Sequence, residues 1–189
     1  MSVLGHVAVG MALGRAKTPH APGRVVAASM AWFTTLAVLP DIDLLPGVSN
    51  IAGLSLVHRG PTHSLLVAAA VGMSCGVVAR MRGRQGWLAF GLLCAAAMGS
   101  HDILDAFSEA NVRLELLWPL SNQGYLFPWH PLPIPPLGGG VFTERGALTV
   151  LAELVWFLPV WIYALWPRQP GRAGPRGRRA HRRGRRGST

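Results

Sequence analysis

The chain has 189 residues, half of them hydrophobic and only 14% charged, with a mean hydropathy of +0.33. That length suits a single domain, and that composition argues against a disordered or strongly acidic chain and shifts the expectation from a soluble domain toward a membrane protein. The formal net charge of +10 belongs to one end: residues 168–189 carry nine arginines and no acid, which leaves the other 167 residues near +1 and excludes a body built to bind polyanions.

In chain order, residues 3–13 are apolar and Gly-rich, contain His6 and lack the charged n-region of a cleavable signal peptide. They fall short of the ~20 residues a full span requires and read as a short or half-inserted helix. Arg15, Lys17 and Arg24, with Pro19 and Pro22, make a basic turn. The apolar run 25–39 is closed by Pro40, and Asp41-Ile42-Asp43 follows at once. A linker over 44–61 holds the turn signals Pro46-Gly47, Ser49-Asn50 and Gly53 and leads into His58-Arg59-Gly60-Pro61-Thr62-His63-Ser64. The next apolar run, 64–79, has Thr62 or Ser64 as its N-cap and ends at Arg80, Arg82 and Arg84.

A third run, 87–104, opens on Trp87, placed like an interfacial anchor, and is interrupted near its far end by His101 and Asp102. Residues 106–146 are mixed, with Pro128, Pro131, Pro133, Pro135 and Pro136 forbidding regular helix and Gly139-Gly140 marking a turn. The longest apolar run, 147–166, carries Trp156, Trp161 and Trp166 and tolerates Glu153 and Pro159. The cysteines, Cys75 and Cys94, lie inside apolar runs and read as small buried hydrophobes rather than a disulfide or a metal pair.

Fifteen of the eighteen cations fall on one side if the runs starting at Val25, Ser64, Trp87 and Ala147 each span, and the positive-inside rule makes that side cytoplasmic. The expected fold is an all-α, multi-pass transmembrane domain over 1–167 with four to five membrane segments, followed by a disordered, arginine-rich cytoplasmic tail over 168–189. Because several runs are short, a compact helical domain half-sunk in the bilayer and a soluble all-helical protein are the alternatives. In the spanning arrangement Asp41, Asp43, His58, His63, His101 and Asp105 come to one level at the non-cytoplasmic edge, where ionisable groups are expensive and usually functional.

His101 and Asp105, four apart on a helix, share a face and can approach a common point. Asp41 and Asp43, extended or turned after Pro40, would aim both carboxylates one way, and so close a pair needs a cation, a proton or an arginine between them. A bend at Gly60-Pro61 would let His58 and His63 converge, with Arg59 binding an anionic substrate oxygen or an aspartate across the site. Imidazole and carboxylate together suit zinc, and also manganese or iron. Such a site lowers the pKa of a bound water, so the implied reaction class is hydrolysis of an ester, phosphodiester or amide. No serine nucleophile with a convincing base, phosphate-cradling glycine loop or His-Glu-x-x-His motif is visible.

Leu39-Pro40-Asp41-Ile42-Asp43, His58-Arg59-Gly60-Pro61-Thr62-His63-Ser64-Leu65, His101-Asp102-Ile103-Leu104-Asp105 and Leu117-Trp118-Pro119-Leu120-Ser121, in that order, resemble the YdjM-like family of membrane-bound metal-dependent hydrolases, also described as LexA-binding inner-membrane-associated hydrolases. The resemblance covers most of the chain from His6 to about Pro136 and departs from the family after Asp105, where Ala106 to Asn111 replace an expected Thr and Gly. It implies a multi-pass bacterial inner-membrane protein with a divalent metal ion, zinc first, held among His6, Asp41, Asp43, His58, His63, His101 and Asp105. Asp43 or Asp105 would serve as catalytic base and Arg59 as anion holder. The implied partners are membrane lipids and a small-molecule or lipid ester or phosphoester substrate. The tail would touch anionic lipid; it lacks the aromatic residues that nucleic-acid stacking needs. A non-enzymatic membrane metal-binding, transport or interaction protein is the rival class.

Overall fold

The computed structural model describes residues 3–44, 58–109, 113–134 and 142–167, together with the backbone at 50–51 and 54–55. The tail and the turn signals at Pro46-Gly47, Gly53, Pro135-Pro136 and Gly139-Gly140 lie outside the described residues. Helices dominate: α1 (Val3–Lys17), α2 (Gly23–Val38), α3 (Leu65–Met81), α4 (Trp87–Ala106), α5 (Glu144–Trp156) and α6 (Leu158–Leu165). A 3-10 helix, Leu39–Leu44, prolongs α2, and a second, Pro61–His63, leads into α3. Two residue pairs, β1 (Asn50–Ile51) and β2 (Leu54–Ser55), make a short antiparallel hairpin with Asn50 opposite Ser55.

The helix ends follow local chemistry. Pro22 stands at the N-cap of α2, where its missing N–H costs nothing, and its carbonyl accepts from the Val25 and Val26 amides. Ser64 caps α3 by accepting from the Leu66 amide at 3.2 Å, and Thr143 caps α5 through the Gly146 amide at 3.3 Å. Of the two caps foreseen for α3 the structure uses Ser64, which leaves the Thr62 hydroxyl for other work.

Two helical hairpins form the centre, α1 against α2 and α3 against α4. Glycine permits both close approaches. A Cβ on Gly10 would lie 2.5 Å from the Thr34 Cα, and one on Gly72 would lie 2.5 Å from the Ala95 Cβ. Gly14 and Gly76, each four residues on, face the partner backbone as well, the small-xxx-small arrangement by which helices pack where no water drives them together. The hairpins meet through α2 and α4 over Phe33, Leu36, Cys94 and Ala97. α6 and α5 lie against α1, where Ala8, Leu132 and Phe157 form a second cluster.

Gly23–Leu44, at 22 residues, and Trp87–Ala106, at 20, are long and apolar enough to cross a membrane. The run expected as a single last segment is divided into α5 and α6, bent by 64°, and counts as a third span only if the pair is taken together. Pro159, second residue of α6, explains the break: it has no N–H for the preceding turn and its ring obstructs a continuous helix. α3 has 17 residues and α1 has 15, short of the full-span length. The expected four to five segments thus reduce to two or three by length and composition among the described residues.

Polarity is inverted relative to a soluble domain. Met73, Val77, Leu88, Leu92, Leu151 and Leu158 are exposed on the helix flanks, while His6, His63, His101, Asp102 and Asp105 are buried. The helical ends also segregate by charge. His6, the Asp41–Asp43 turn, His63, His101 and Asp105 share one end. Arg15, Lys17, Arg24, Arg80, Arg82 and Arg84 occupy the other, where the Arg15 guanidinium donates to the Trp166 carbonyl at the close of α6.

Candidate metal centre

Asp41 and Asp43 lie in the 3-10 continuation of α2, the turned of the two conformations expected after Pro40, but their carboxylates do not point the same way. With about three residues per turn, positions two apart point in different directions, and the carboxylates serve different partners. Asp41 Oδ1 is 3.5 Å from His63 Nε2 and 3.4 Å from His101 Nε2. Asp43 stands behind them: Oδ1 accepts from His58 Nδ1 at 3.0 Å, and Oδ2 accepts from the Thr62 hydroxyl at 2.7 Å.

The bend between His58 and His63 turns at Arg59, which adopts φ 70°, rather than at Gly60. A left-handed non-glycine residue is strained and needs fixing from outside. The Arg59 carbonyl accepts from the Glu115 amide at 3.2 Å, and its guanidinium Nη2 lies 3.4 Å from Asp105 Oδ2 and 3.5 Å from Ser108 Oγ. Of the two partners foreseen for Arg59, the aspartate across the site is the one present. Leu117 to Ser121 close over this bend, since the Leu65 amide and the Ser64 hydroxyl donate to Leu116 and Trp118 carbonyls at 3.0 and 2.7 Å.

α4 delivers His101 and Asp105 from one face, as their spacing requires. His101 Nδ1 can only donate to the Ala37 carbonyl, 2.8 Å away, so Nε2, which faces Asp41 at 3.4 Å, is the ring nitrogen left to ligate. The same logic fixes His63. Because the Thr62 hydrogen goes to Asp43, Thr62 Oγ1 must accept from His63 Nδ1 at 3.1 Å, leaving the His63 lone pair on Nε2. Burial also holds the His63 imidazole below its ordinary pKa, favouring the neutral form. His6, from the first turns of α1, stacks on His101 with ring centres 3.8 Å apart and places Nε2 3.4 Å from Asp105 Oδ1.

Two contiguous donor groups result, His6 with His101 and Asp105, and Asp41 with His58 and His63; within each, the ligand atoms all lie within 4.8 Å of one another. They adjoin where His101 meets Asp41 at 3.4 Å and His63 Nε2 meets Asp105 Oδ2 at 4.0 Å. The Nε2 atoms of His6, His63 and His101 are buried without a hydrogen-bond partner. Leaving such groups unmatched costs about 1–3 kcal/mol each, and three of them converging on two carboxylates could hold a metal ion. Charge agrees: Asp41, Asp43 and Asp105 bring three carboxylates together, Arg59 stands beside Asp105, and a divalent cation would offset the remaining negative charge. Donors are nitrogen and oxygen only, as both cysteines lie toward the basic end. The residues present therefore fit a metal ion.

Six of the seven sequence-predicted ligands fall in the two donor groups; Asp43 is not among them and instead holds His58 and Thr62, while Arg59 reaches Asp105. Ser108 and the Ala37 carbonyl join them without having been singled out, and Thr62, expected only as a helix cap, joins them too. Asp102, also overlooked, is fully buried with both carboxylate oxygens lacking a hydrogen-bond partner. Its signal was available as a second acid inside an apolar run. Glu153 is fully buried on α5, and neither it nor His130 belongs to the two donor groups.

A family model described as YdjM inner membrane protein matches residues 1–170. The chain is 30% identical over 164 residues to the inner membrane protein YbcI of Escherichia coli (strain K12), covering 85% of this chain and 91% of that protein. No solved structure matches. With the family resemblance read from the motifs thus supported across nearly the whole membrane domain, an inner-membrane location follows, and the chain belongs to the YdjM inner membrane protein family.

Proposed function

We propose that this protein is a membrane-bound metal-dependent hydrolase of ester-type substrates, phosphodiesters and lipid-like esters included. The convergence of three buried, partnerless imidazole Nε2 atoms on Asp41 and Asp105 carries the reading. A divalent cation, zinc by the mixed nitrogen and oxygen donors, would supply the acidity that lets a water act as nucleophile near neutral pH. His6, His101 and Asp105 form one holding set and Asp41, His58 and His63 the other, which would take one or two ions. Asp43 orients His58 directly and His63 through Thr62. Arg59 would draw the anionic oxygen of the substrate, and Asp105, through the carboxylate oxygen not lent to an ion, would take the proton the attacking water loses and return it to the departing alkoxide.

We further propose that α1 to α4 and the α5–α6 pair all enter the bilayer, giving four to five segments. The basic end and tail would face the cytoplasm and the metal centre the opposite side. A C-terminal tag that can be labelled from the periplasm of intact cells would invert this topology.

The activity is tested by purifying the full chain in detergent with zinc and assaying bis-p-nitrophenyl phosphate and p-nitrophenyl esters of increasing acyl length, beside Asp105→Asn and His63→Ala. Turnover by the wild type that falls about 100-fold or more in both variants is expected. Absence of turnover across the panel, or equal rates in the variants, would refute the hydrolase.

A further inference from the structure

The basic end of the bundle holds a cavity of about 660 Å³, open between the α1–α2 hairpin and the α3–α4 hairpin. Its walls are apolar, with Val25, Trp32 and Phe33 from the first two-thirds of α2, Val78 from the end of α3 and Phe90 from α4. Its mouth is cationic, formed by Lys17, Arg82 and Arg84, and no carboxylate lines it. The Arg84 guanidinium rests 5.9 Å from the centre of the Phe90 ring, which holds its charge beside the opening. Among the described residues none of these three cations has an acidic partner, in contrast to Arg59 at the metal centre.

A slot of this size with apolar walls and a few charges at one edge has the anatomy of a site for an amphiphile. Within each hairpin the helices stay in close contact toward this end, at Gly14 against Met30 and at Gly76 against Gly91, so the gap lies between the hairpins. Three uncompensated cations at its mouth select the sign of the occupant's polar end. The site is separate from the metal centre: Lys17 follows His6 by 11 residues of the same helix, about 16 Å at 1.5 Å per residue.

We infer that this cavity binds an anionic glycerophospholipid, with an acyl chain between α2 and α3 and the headgroup phosphate at Lys17, Arg82 and Arg84. The lipid wedges the two hairpins at their basic ends, and the arginine tail is not needed to hold it.

The test is native mass spectrometry of the full chain in detergent, titrated with phosphatidylglycerol, phosphatidylethanolamine or inorganic phosphate. Ala28→Trp fills the slot while leaving every cation in place, and Lys17→Gln/Arg82→Gln/Arg84→Gln removes the mouth. Arg182→Gln/Arg183→Gln/Arg185→Gln makes the same change in net charge within the tail. Phosphatidylglycerol adducts should form at least ~tenfold more readily than phosphatidylethanolamine adducts, fall by a similar factor in the first two variants and persist in the third. Inorganic phosphate should neither bind detectably nor displace the lipid. The inference is overturned by undiminished adducts in the mouth variant, by equal binding of the two lipids, by loss in the tail variant alone or by displacement with phosphate. The mouth residues are exposed, so a failure of Ala28→Trp to fold leaves that variant to decide.

Discussion

Replacing His101 by alanine probes the metal centre at its most constrained ligand. The ring is fully buried, stacked 3.8 Å from His6, anchored by a 2.8 Å hydrogen bond to the Ala37 carbonyl and aimed through Nε2 at Asp41, 3.4 Å away. Loss of a partner that merely orients a ligand already weakens metal binding about 10–100-fold, so loss of the ligand itself should exceed the upper figure, about 2.8 kcal/mol or more. The orphaned Ala37 carbonyl adds about 1–3 kcal/mol of destabilisation that does not depend on metal. The two contributions separate experimentally. Zinc content by elemental analysis, and thermal unfolding in detergent with and without a chelator, should show a large chelator-induced drop in Tm for the wild type. Ligand present at about 1,000 times its Kd stabilises by about 4 kcal/mol. His101→Ala should start from a lower Tm that the chelator scarcely moves. A variant that retains wild-type zinc and the same chelator response would refute the assignment of His101 as a ligand.

Other perturbations address the supporting structure. Thr62→Val removes the hydroxyl that links Asp43 to His63 and should weaken zinc binding about 10–100-fold in a buffered-metal competition, with Thr62→Ser restoring it. Gly72→Leu forces a side chain where a Cβ alone would stand 2.5 Å from Ala95 and should cost about 1–3 kcal/mol or more in thermal unfolding. Gly99→Ala meets the movable tip of Leu65 at 3.3 Å and the Ala68 Cβ at an ordinary contact distance of 3.8 Å, and should be much milder. His63 is held neutral in the fold below the ~6.5 of an unfolded histidine. Between those values the unfolded chain binds more protons, so chelated protein should lose stability as pH falls below about 6.5. His63→Gln should flatten that dependence in a series of melts.

Much of the centre was legible because helical spacing is rigid. Four residues separate His101 from Asp105, and on any helix that brings them to one face. Asp41 and Asp43 were harder. Pro40 reads as a stop, but a proline needs no donor at the start of a new turn, so it marked a change from α-helix to 3-10 helix and the carboxylates diverged. Gly60 drew attention as the natural bend residue, yet Arg59 bears the left-handed φ because its carbonyl and guanidinium are both tied down by distant segments. The Ala37 carbonyl has no letter of its own: a backbone acceptor that orients a histidine is invisible until the helices are placed. Gly10-x-x-x-Gly14 and Gly72-x-x-x-Gly76 were present as a pattern, and only the hairpin contacts show what the spacing is for.

The origin of the ligands bears on assembly. His6 and Asp41 belong to the first hairpin, while His101 and Asp105 belong to the second and His58 and His63 to the bend that enters it. Neither hairpin holds a complete donor set alone. Each has glycine contacts of its own, the kind of packing by which membrane helices associate. Zinc would then act as a clasp across the seam between the two halves, so occupancy would report whether the halves have docked and chelation would loosen that seam while leaving each hairpin intact.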